Sequence, residues 1–106
     1  MRFEDLKFEP LYDGVQAMVP FGKYELSIVK HGFSYGGSKG LYEIAVFEGD
    51  SQVELPGITQ EGDTIKGFLT EEAVTGIMLK MATIAGTTMG DLKFTTAGDY
   101  MGVANE

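Results

Sequence analysis

The chain has 106 residues, 43% of them hydrophobic, which is enough for one buried core and too few for two ordinary domains. Its lack of cysteine excludes disulfides, thiolate metal sites and cysteine nucleophiles. Its formal charge of −8 disfavours nucleic acid and anionic membranes as partners over most of the surface. We predict a single domain, residues 1–106, with a core in residues 14–86, an N-terminal arm at 1–13 and a C-terminal tail at 87–106. Acidic residues follow Met1 closely and leave no apolar segment for a signal peptide, which predicts a cytoplasmic location.

Three antiparallel strands are predicted in the first half of the chain. Alternating apolar residues from Val15 to Val19 indicate an edge strand that ends at Pro20. Residues 24–29 and 41–47 form two further strands, which pair across a glycine-rich loop so that both apolar sets face one core. The six side chains predicted to share that core are Tyr24, Leu26, Ile28, Tyr42, Ile44 and Val46. The strand at 41–47 is apolar on much of both faces, which predicts a central position in the sheet.

Two more strands and a helix are predicted in the second half. A short, broken strand surrounds Pro56, and residues 65–69 form a strand in which Gly67 indicates a bulge or a close backbone approach. A helix is predicted over Glu71–Ile84 because Thr70 is a good N-cap and apolar residues recur at helical spacing. Gly86 is the expected stop, and Gly76 inside the helix indicates close packing. The predicted fold class is α+β and β-rich: a bent five-stranded antiparallel sheet, or a small Sm-like or SH3-like barrel, with one amphipathic helix packed on it.

No catalytic or metal-binding signature is present. His31 is the only histidine, and no Gly-x-Ser-x-Gly elbow accompanies it. The acidic residues Glu48, Asp50 and Glu54 lack the spacing of a calcium-binding loop, and turn or helix-cap chemistry explains the other acidic pairs. We therefore predict a protein that is not an enzyme and that uses no metal or cofactor.

The glycine-rich loop at residues 30–40 is the candidate contact site. No acidic residue occurs from Leu26 to Tyr42, although the chain as a whole is acidic. The five candidate nucleic-acid-binding residues are Lys30, His31, Phe33, Tyr35 and Lys39. Cations beside aromatic rings on a flexible backbone are typical of proteins that bind single-stranded nucleic acid. The alternatives are an exposed or capping role for His31 and a hairpin loop whose rings fold back onto the sheet.

A tetrapeptide occurs at both ends of the chain. Asp91-Leu92-Lys93-Phe94 repeats Asp5-Leu6-Lys7-Phe8. Coincidence is one interpretation of so short a match. The other is that both copies are edge strands with Leu and Phe anchors that dock on the same subunit or on a neighbour.

About half of the chain resembles a group of small proteins of tailed phages, particularly phages that infect marine cyanobacteria. The matching segments are Tyr24-Glu25-Leu26-Ser27-Ile28-Val29, Tyr35-Gly36-Gly37, Gly40-Leu41-Tyr42-Glu43-Ile44-Ala45-Val46 and Gly67-Phe68-Leu69-Thr70-Glu71-Glu72-Ala73-Val74. The group has no agreed activity, so the resemblance implies a phage setting and no particular chemistry. Some marine proteins of cyanophage type resemble Sm modules, whose five bent strands assemble into rings that contact RNA or DNA.

Two functions are predicted. The first is an oligomeric, non-enzymatic phage-type module that contacts single-stranded RNA or DNA through loop 30–40. The second is a protein-interaction or virion-assembly module that uses sheet edges and the terminal arms. The expected partners are other copies of the chain, single-stranded nucleic acid, and a phage or host protein. A membrane is not among them, and the expected location is the host cytoplasm or the virion.

Overall fold

The computed structural model describes residues 2–86. Six strands and one helix follow in chain order: β1 (Glu9–Leu11), β2 (Gly14–Phe21), β3 (Tyr24–Lys30), β4 (Tyr42–Glu48), β5 (Ser51–Val53), β6 (Ile65–Leu69) and α1 (Glu71–Ala85). Short 3₁₀ turns occupy Phe3–Asp5 and Gly37–Lys39. The fold is a β-rich α+β domain, as predicted.

The six strands form one antiparallel sheet in the order β1-β2-β3-β4-β5, and β6 also pairs with β4. β5 pairs with the end of β4, at Val46, and β6 pairs with its beginning, at Tyr42. The prediction of a central β4 is confirmed, since β3 lies on one side of it and β5 and β6 on the other. The prediction of β2 as an edge strand is wrong, because β1 pairs with it. The segment that forms β1 shows neither a helical nor a strand period, so this pairing could not be predicted from the sequence.

The predicted hairpin and its core are confirmed. In the register of β3 and β4, Leu26 lies opposite Val46 and Ile28 opposite Ile44. All four side chains and Tyr42 are buried, and Tyr24 is partly buried against the same core. Helix α1 contributes Val74, Ile77, Met78, Met81 and Ala82 to this cluster. The apolar face of the helix therefore covers the apolar face of the sheet.

Local chemistry sets both ends of α1. The Thr70 side chain accepts a hydrogen bond from the Ala73 N–H at 3.1 Å, which satisfies one free amide of the first turn. Gly86 ends the helix with φ 73°, a left-handed conformation that glycine adopts without steric cost. The close packing predicted at Gly76 is absent, since a β-carbon there would meet no atom within 4 Å.

The N-terminal arm is part of the packed fold. Leu6 is buried in the core, and the ring of Phe8 lies 5.8 Å from that of Tyr42. In the tetrapeptide at residues 5–8, Leu6 and Phe8 turn inward while Asp5 and Lys7 are exposed. The segment docks on its own subunit but is not itself a strand, since it precedes β1. The second copy, residues 91–94, lies outside the described residues.

Candidate nucleic-acid interface

Three chain segments meet at one end of the sheet. The first is the turn between β1 and β2, and the second is the loop between β3 and β4, which contains the candidate residues. The third is the end of β6, where Leu69 lies opposite Tyr42 at the start of β4. The candidate loop is therefore flanked by two segments that the sequence did not associate with it.

The candidate loop is held by hydrogen bonds, which corrects the expectation of a flexible backbone. The Ser34 hydroxyl accepts from the His31 N–H at 2.9 Å, and Ser34 donates back to the His31 carbonyl. The Gly32 N–H donates to the Asp13 carboxylate at 2.8 Å, which ties the loop to the β1–β2 turn. The Phe68 N–H donates to the Tyr35 carbonyl at 3.1 Å, which ties it to β6. The loop thus presents its side chains in a fixed arrangement.

One group of rings is formed by Tyr12, His31 and Phe33. The ring of Tyr12 lies 5.2 Å from that of His31 and 6.1 Å from that of Phe33, both nearly perpendicular. Phe33 is 85% exposed and Tyr12 is 77% exposed, so both rings face solvent. The His31 Nδ1 accepts a hydrogen bond from the Phe33 N–H at 3.1 Å, and the neutral imidazole therefore carries its proton on Nε2. His31 therefore caps the backbone of the loop, which is one of the roles expected for it from the sequence. Its ring also belongs to this group.

A second group of rings is formed by Tyr35 and Phe68, whose centroids are 6.5 Å apart. Phe68 lies in a β-bulge, because Gly67 and Phe68 together lie opposite Glu43 alone. Gly67 allows Tyr35 to lie close to the backbone of the bulge, since a β-carbon on residue 67 would collide with the side chain of Tyr35. The bulge or close approach predicted at Gly67 is confirmed. We call the two groups together, Tyr12, His31, Phe33, Tyr35 and Phe68, the aromatic surface.

Tyr12 and Phe68 both adopt left-handed backbone conformations, with φ of 55° and 57°. Within residues 2–86, no other residue except glycine has a positive φ. Such a conformation costs a bulky residue on the order of 1–3 kcal/mol. Both strained residues have exposed aromatic rings, and both rings contact rings of the candidate loop. Neither residue was predicted to belong to the site, because each lies in a different segment of the sequence from the loop.

The charges around the aromatic surface are mixed. The Lys30 ammonium lies 4.9 Å from the centre of the Tyr42 ring, in cation–π contact with a core residue, whereas Lys39 is exposed on the loop. Lys66 lies beside the Tyr35 and Phe68 pair in a shallow pocket that also contains Asp63. The fold also brings Asp13 to the loop, so the local absence of acidic residues in the sequence does not persist in space.

Glu43 is a second acidic group beside the loop. Its carboxylate accepts a hydrogen bond from the Tyr35 N–H at 3.4 Å. Partial burial raises the pKa of this carboxyl above its ordinary value of 4.5, while the hydrogen bond from Tyr35 and the nearby His31 oppose the shift. Two carboxylates, Asp13 and Glu43, therefore accept hydrogen bonds from the backbone of the loop.

A cavity of about 540 Å³ opens below the first ring group. Its walls include the rings of Phe8 and Tyr42, the side chains of Lys30 and His31, and the acidic Asp13. The cavity therefore combines aromatic walls with a cation and a carboxylate, which suits a planar polar group better than an anion.

Residues 2–86 contain no cluster of three or more histidine and acidic side chains that could hold a metal ion. No helix in that range is both long and apolar enough to cross a membrane. Neither a protein-family model, nor a curated protein, nor a solved structure matches the chain.

Proposed function

We propose that the protein is a non-enzymatic binding module whose aromatic surface contacts single-stranded RNA or DNA in the cytoplasm of a host cell. The observation that carries the proposal is the fixed display of exposed rings, above all Phe33, on a hydrogen-bonded loop. Bases stack on such rings without regard to sequence, and each stacked base contributes about 1–3 kcal/mol. A loop that is already ordered loses little conformational entropy when the ligand binds.

Stacking supplies most of the affinity in this proposal because few cations are available. Lys30, Lys39 and Lys66 are the lysines near the rings. If all three contact phosphates, the logarithm of the binding constant falls with the logarithm of salt concentration at a slope of about −2, from −0.7 per contact. Raising salt from about 50 to 200 mM then weakens binding by roughly 20-fold, far less than for a strongly basic protein.

A protein partner is the second candidate, and the acidic groups Asp13 and Glu43 beside the rings favour it. Aromatic side chains are enriched at the centres of protein interfaces, and carboxylates do not repel a protein as they repel phosphates. The partner would be another copy of the chain or a phage or host protein, and the role would be assembly. The sheet edges formed by β1 and β5 offer further contacts of this kind.

Titration of a fluorescently labelled single-stranded oligonucleotide, followed by anisotropy at low and then higher salt, tests the first candidate. We expect binding that weakens with salt at the shallow slope above and that weakens further in Lys39→Glu. Lys23→Glu is the matched control, because Lys23 lies in the β2–β3 turn at the opposite end of the sheet, 3.6 Å from Glu48. Absence of binding at low salt contradicts the nucleic-acid proposal. An equal loss of affinity in Lys39→Glu and Lys23→Glu contradicts it as well. Self-association that Phe33→Ala abolishes would support the protein partner.

A further inference from the structure

The cavity of about 540 Å³ below the first ring group contains a carboxylate in a fixed position. Asp13 lines this cavity, and its Oδ1 atom accepts the hydrogen bond from the Gly32 N–H at 2.8 Å. Its other oxygen, Oδ2, lies so close to Gly32 that a β-carbon on that residue would be only 2.7 Å away. Glycine at position 32 therefore lets the carboxylate lie against the loop. Each carboxylate oxygen has two lone pairs, so the group can accept further hydrogen bonds from a ligand.

The same cavity is lined by hydrogen-bond donors and by aromatic rings. Lys30 and His31 contribute the donors, and Phe8 and Tyr42 contribute the rings. The Lys30 ammonium lies 4.9 Å from the centre of the Tyr42 ring, and within residues 2–86 no ion pair joins it to Asp13. The cation and the carboxylate are therefore both open to a ligand. A group that satisfies both is planar, with N–H donors on one edge and acceptors on another.

We propose that this cavity binds a guanine base of the single strand, an inference that rests on the proposed function. Guanine has two adjacent donors, N1–H and the 2-amino group, which match the two oxygens of the Asp13 carboxylate. Its O6 and N7 atoms are acceptors, which suit the donors of Lys30 and His31. The cavity volume falls in the range of about 300–1,000 Å³ that is usual for ligand pockets.

The carboxylate also discriminates against the other bases. Adenine and cytosine have a ring-nitrogen acceptor beside the amino group, and thymine and uracil have a carbonyl oxygen on each side of N3–H. Each of these acceptors would face the Asp13 carboxylate, which is itself only an acceptor when it is ionised. Two acceptors that face each other without a proton between them lower the affinity. The cavity therefore selects guanine by attraction and rejects the other bases by repulsion.

The cavity borders the aromatic surface, so one strand can use both. His31 lines the cavity, and its ring lies 5.2 Å from that of Tyr12 in the first ring group. A strand that places one base in the cavity can therefore stack the next base on Tyr12 or Phe33.

The charges of the cavity favour a base over an arginine side chain of a protein partner. A guanidinium also presents adjacent N–H donors to a carboxylate. It carries a positive charge, however, and the Lys30 ammonium lines the same cavity. Two cations in one cavity repel each other, whereas guanine is neutral and offers acceptors to the lysine.

The first test compares strands of equal length that consist of thymine except at one central nucleotide, which is dG, dA, dC, dT or deoxyinosine. Anisotropy titrations of the whole protein should show that the dG strand binds roughly 5- to 150-fold more tightly than the dT strand, the range for one bidentate contact to a base. Deoxyinosine lacks the 2-amino group and should fall between them. Equal affinities for all five strands overturn the guanine inference and leave the proposed function standing. Failure of every strand to bind overturns both.

The second test removes the carboxylate. Asp13→Asn keeps an oxygen that accepts from the Gly32 N–H but presents an amide donor to the donors of guanine, so the preference for dG should be lost. Its affinity for the dT strand should equal or exceed that of the wild type, because a negative charge near the phosphates is removed. Asp50→Asn is the matched control, since it removes the same charge from the β4–β5 turn at the other end of the sheet, and it should keep the preference. A preference for dG that persists in Asp13→Asn overturns the inference. Equal weakening for every strand also overturns it, because Asp13 would then only support the loop.

A competition experiment distinguishes the sources of the ligand. Free GMP should displace the labelled dG strand only at a much higher concentration than the unlabelled strand does, because it has no neighbouring bases to stack on the rings. Equal potency of the two would identify a free guanine nucleotide as the ligand and overturn the assignment to a strand. Displacement by arginine amide but not by GMP would assign the cavity to a protein side chain and overturn the inference.

Discussion

Replacement of Phe33 by alanine separates binding from folding. Phe33 is 85% exposed, so of the roughly 200 Å² that a phenylalanine can bury, about 30 Å² is removed from water in the folded chain. At about 25 cal/mol per Å², the ring contributes less than roughly 1 kcal/mol to the free energy of unfolding. The bond from the Phe33 N–H to His31 Nδ1 involves the backbone and persists in the variant. Phe33→Ala should therefore fold normally.

The same substitution should weaken binding strongly. Loss of one stacked base costs about 1–3 kcal/mol, which raises the dissociation constant for a single-stranded oligonucleotide by roughly 5- to 150-fold. Anisotropy titration at low salt measures this change, and urea unfolding followed by circular dichroism measures stability on the same samples. Leu79→Ala is the matched control, since Leu79 is also an exposed apolar side chain but lies on α1 and not in the aromatic surface. Its dissociation constant should equal that of the wild type.

Two results would refute this reasoning. A dissociation constant unchanged by Phe33→Ala would show that the most exposed ring of the aromatic surface does not touch the ligand. A loss of several kcal/mol of unfolding free energy would show that Phe33 supports the fold, and its exposure would then carry no functional meaning.

Further substitutions test the core, the helix and the acidic neighbour of the loop. Ile44→Ala, at a fully buried site opposite Ile28, should lower the free energy of unfolding by about 2–5 kcal/mol in urea titrations. Gly76→Ala should raise it by about 1 kcal/mol, because the added methyl group meets no atom and alanine favours the helix; a loss of stability would contradict the open space at Gly76. Glu43→Gln should change how stability depends on pH. Since the folded-state pKa of Glu43 is raised, the wild type loses stability as pH rises from about 4.5 through that pKa, and the variant should lose less over the same window.

Much of the fold was predictable because local patterns and tertiary contacts agree. In β3 and β4 a strict alternation places Leu26 and Ile44 in one core, and a slip by one residue would expose them. The start of α1 followed from Thr70, whose hydroxyl caps the helix whatever packs against it. The pairing of β1 was not predictable, since three residues that include Pro10 carry too little periodicity to indicate a strand. Their position follows from pairing with β2, in which Glu9 lies opposite Gln16 and Leu11 opposite Gly14.

The candidate site was predictable only in part, for the same reason. The loop residues Phe33 and Tyr35 stood out because they are close in sequence to cations. Tyr12 and Phe68 gave no such signal, since pairing of distant segments brings them to the loop. A bulky residue with positive φ gives no local sign of that conformation, because turns usually place glycine or asparagine there.

Backbone strain supports a binding role for the aromatic surface. At Tyr12 and Phe68 the left-handed conformation costs on the order of 1–3 kcal/mol each, a cost that glycine would avoid. The rings offset little of it by burial, since Tyr12 is 77% exposed and Phe68 57% exposed. Folding alone therefore does not account for an aromatic residue at either position. Both rings join the loop that carries Phe33 and Tyr35, so the strain is consistent with the proposal that this surface binds a ligand.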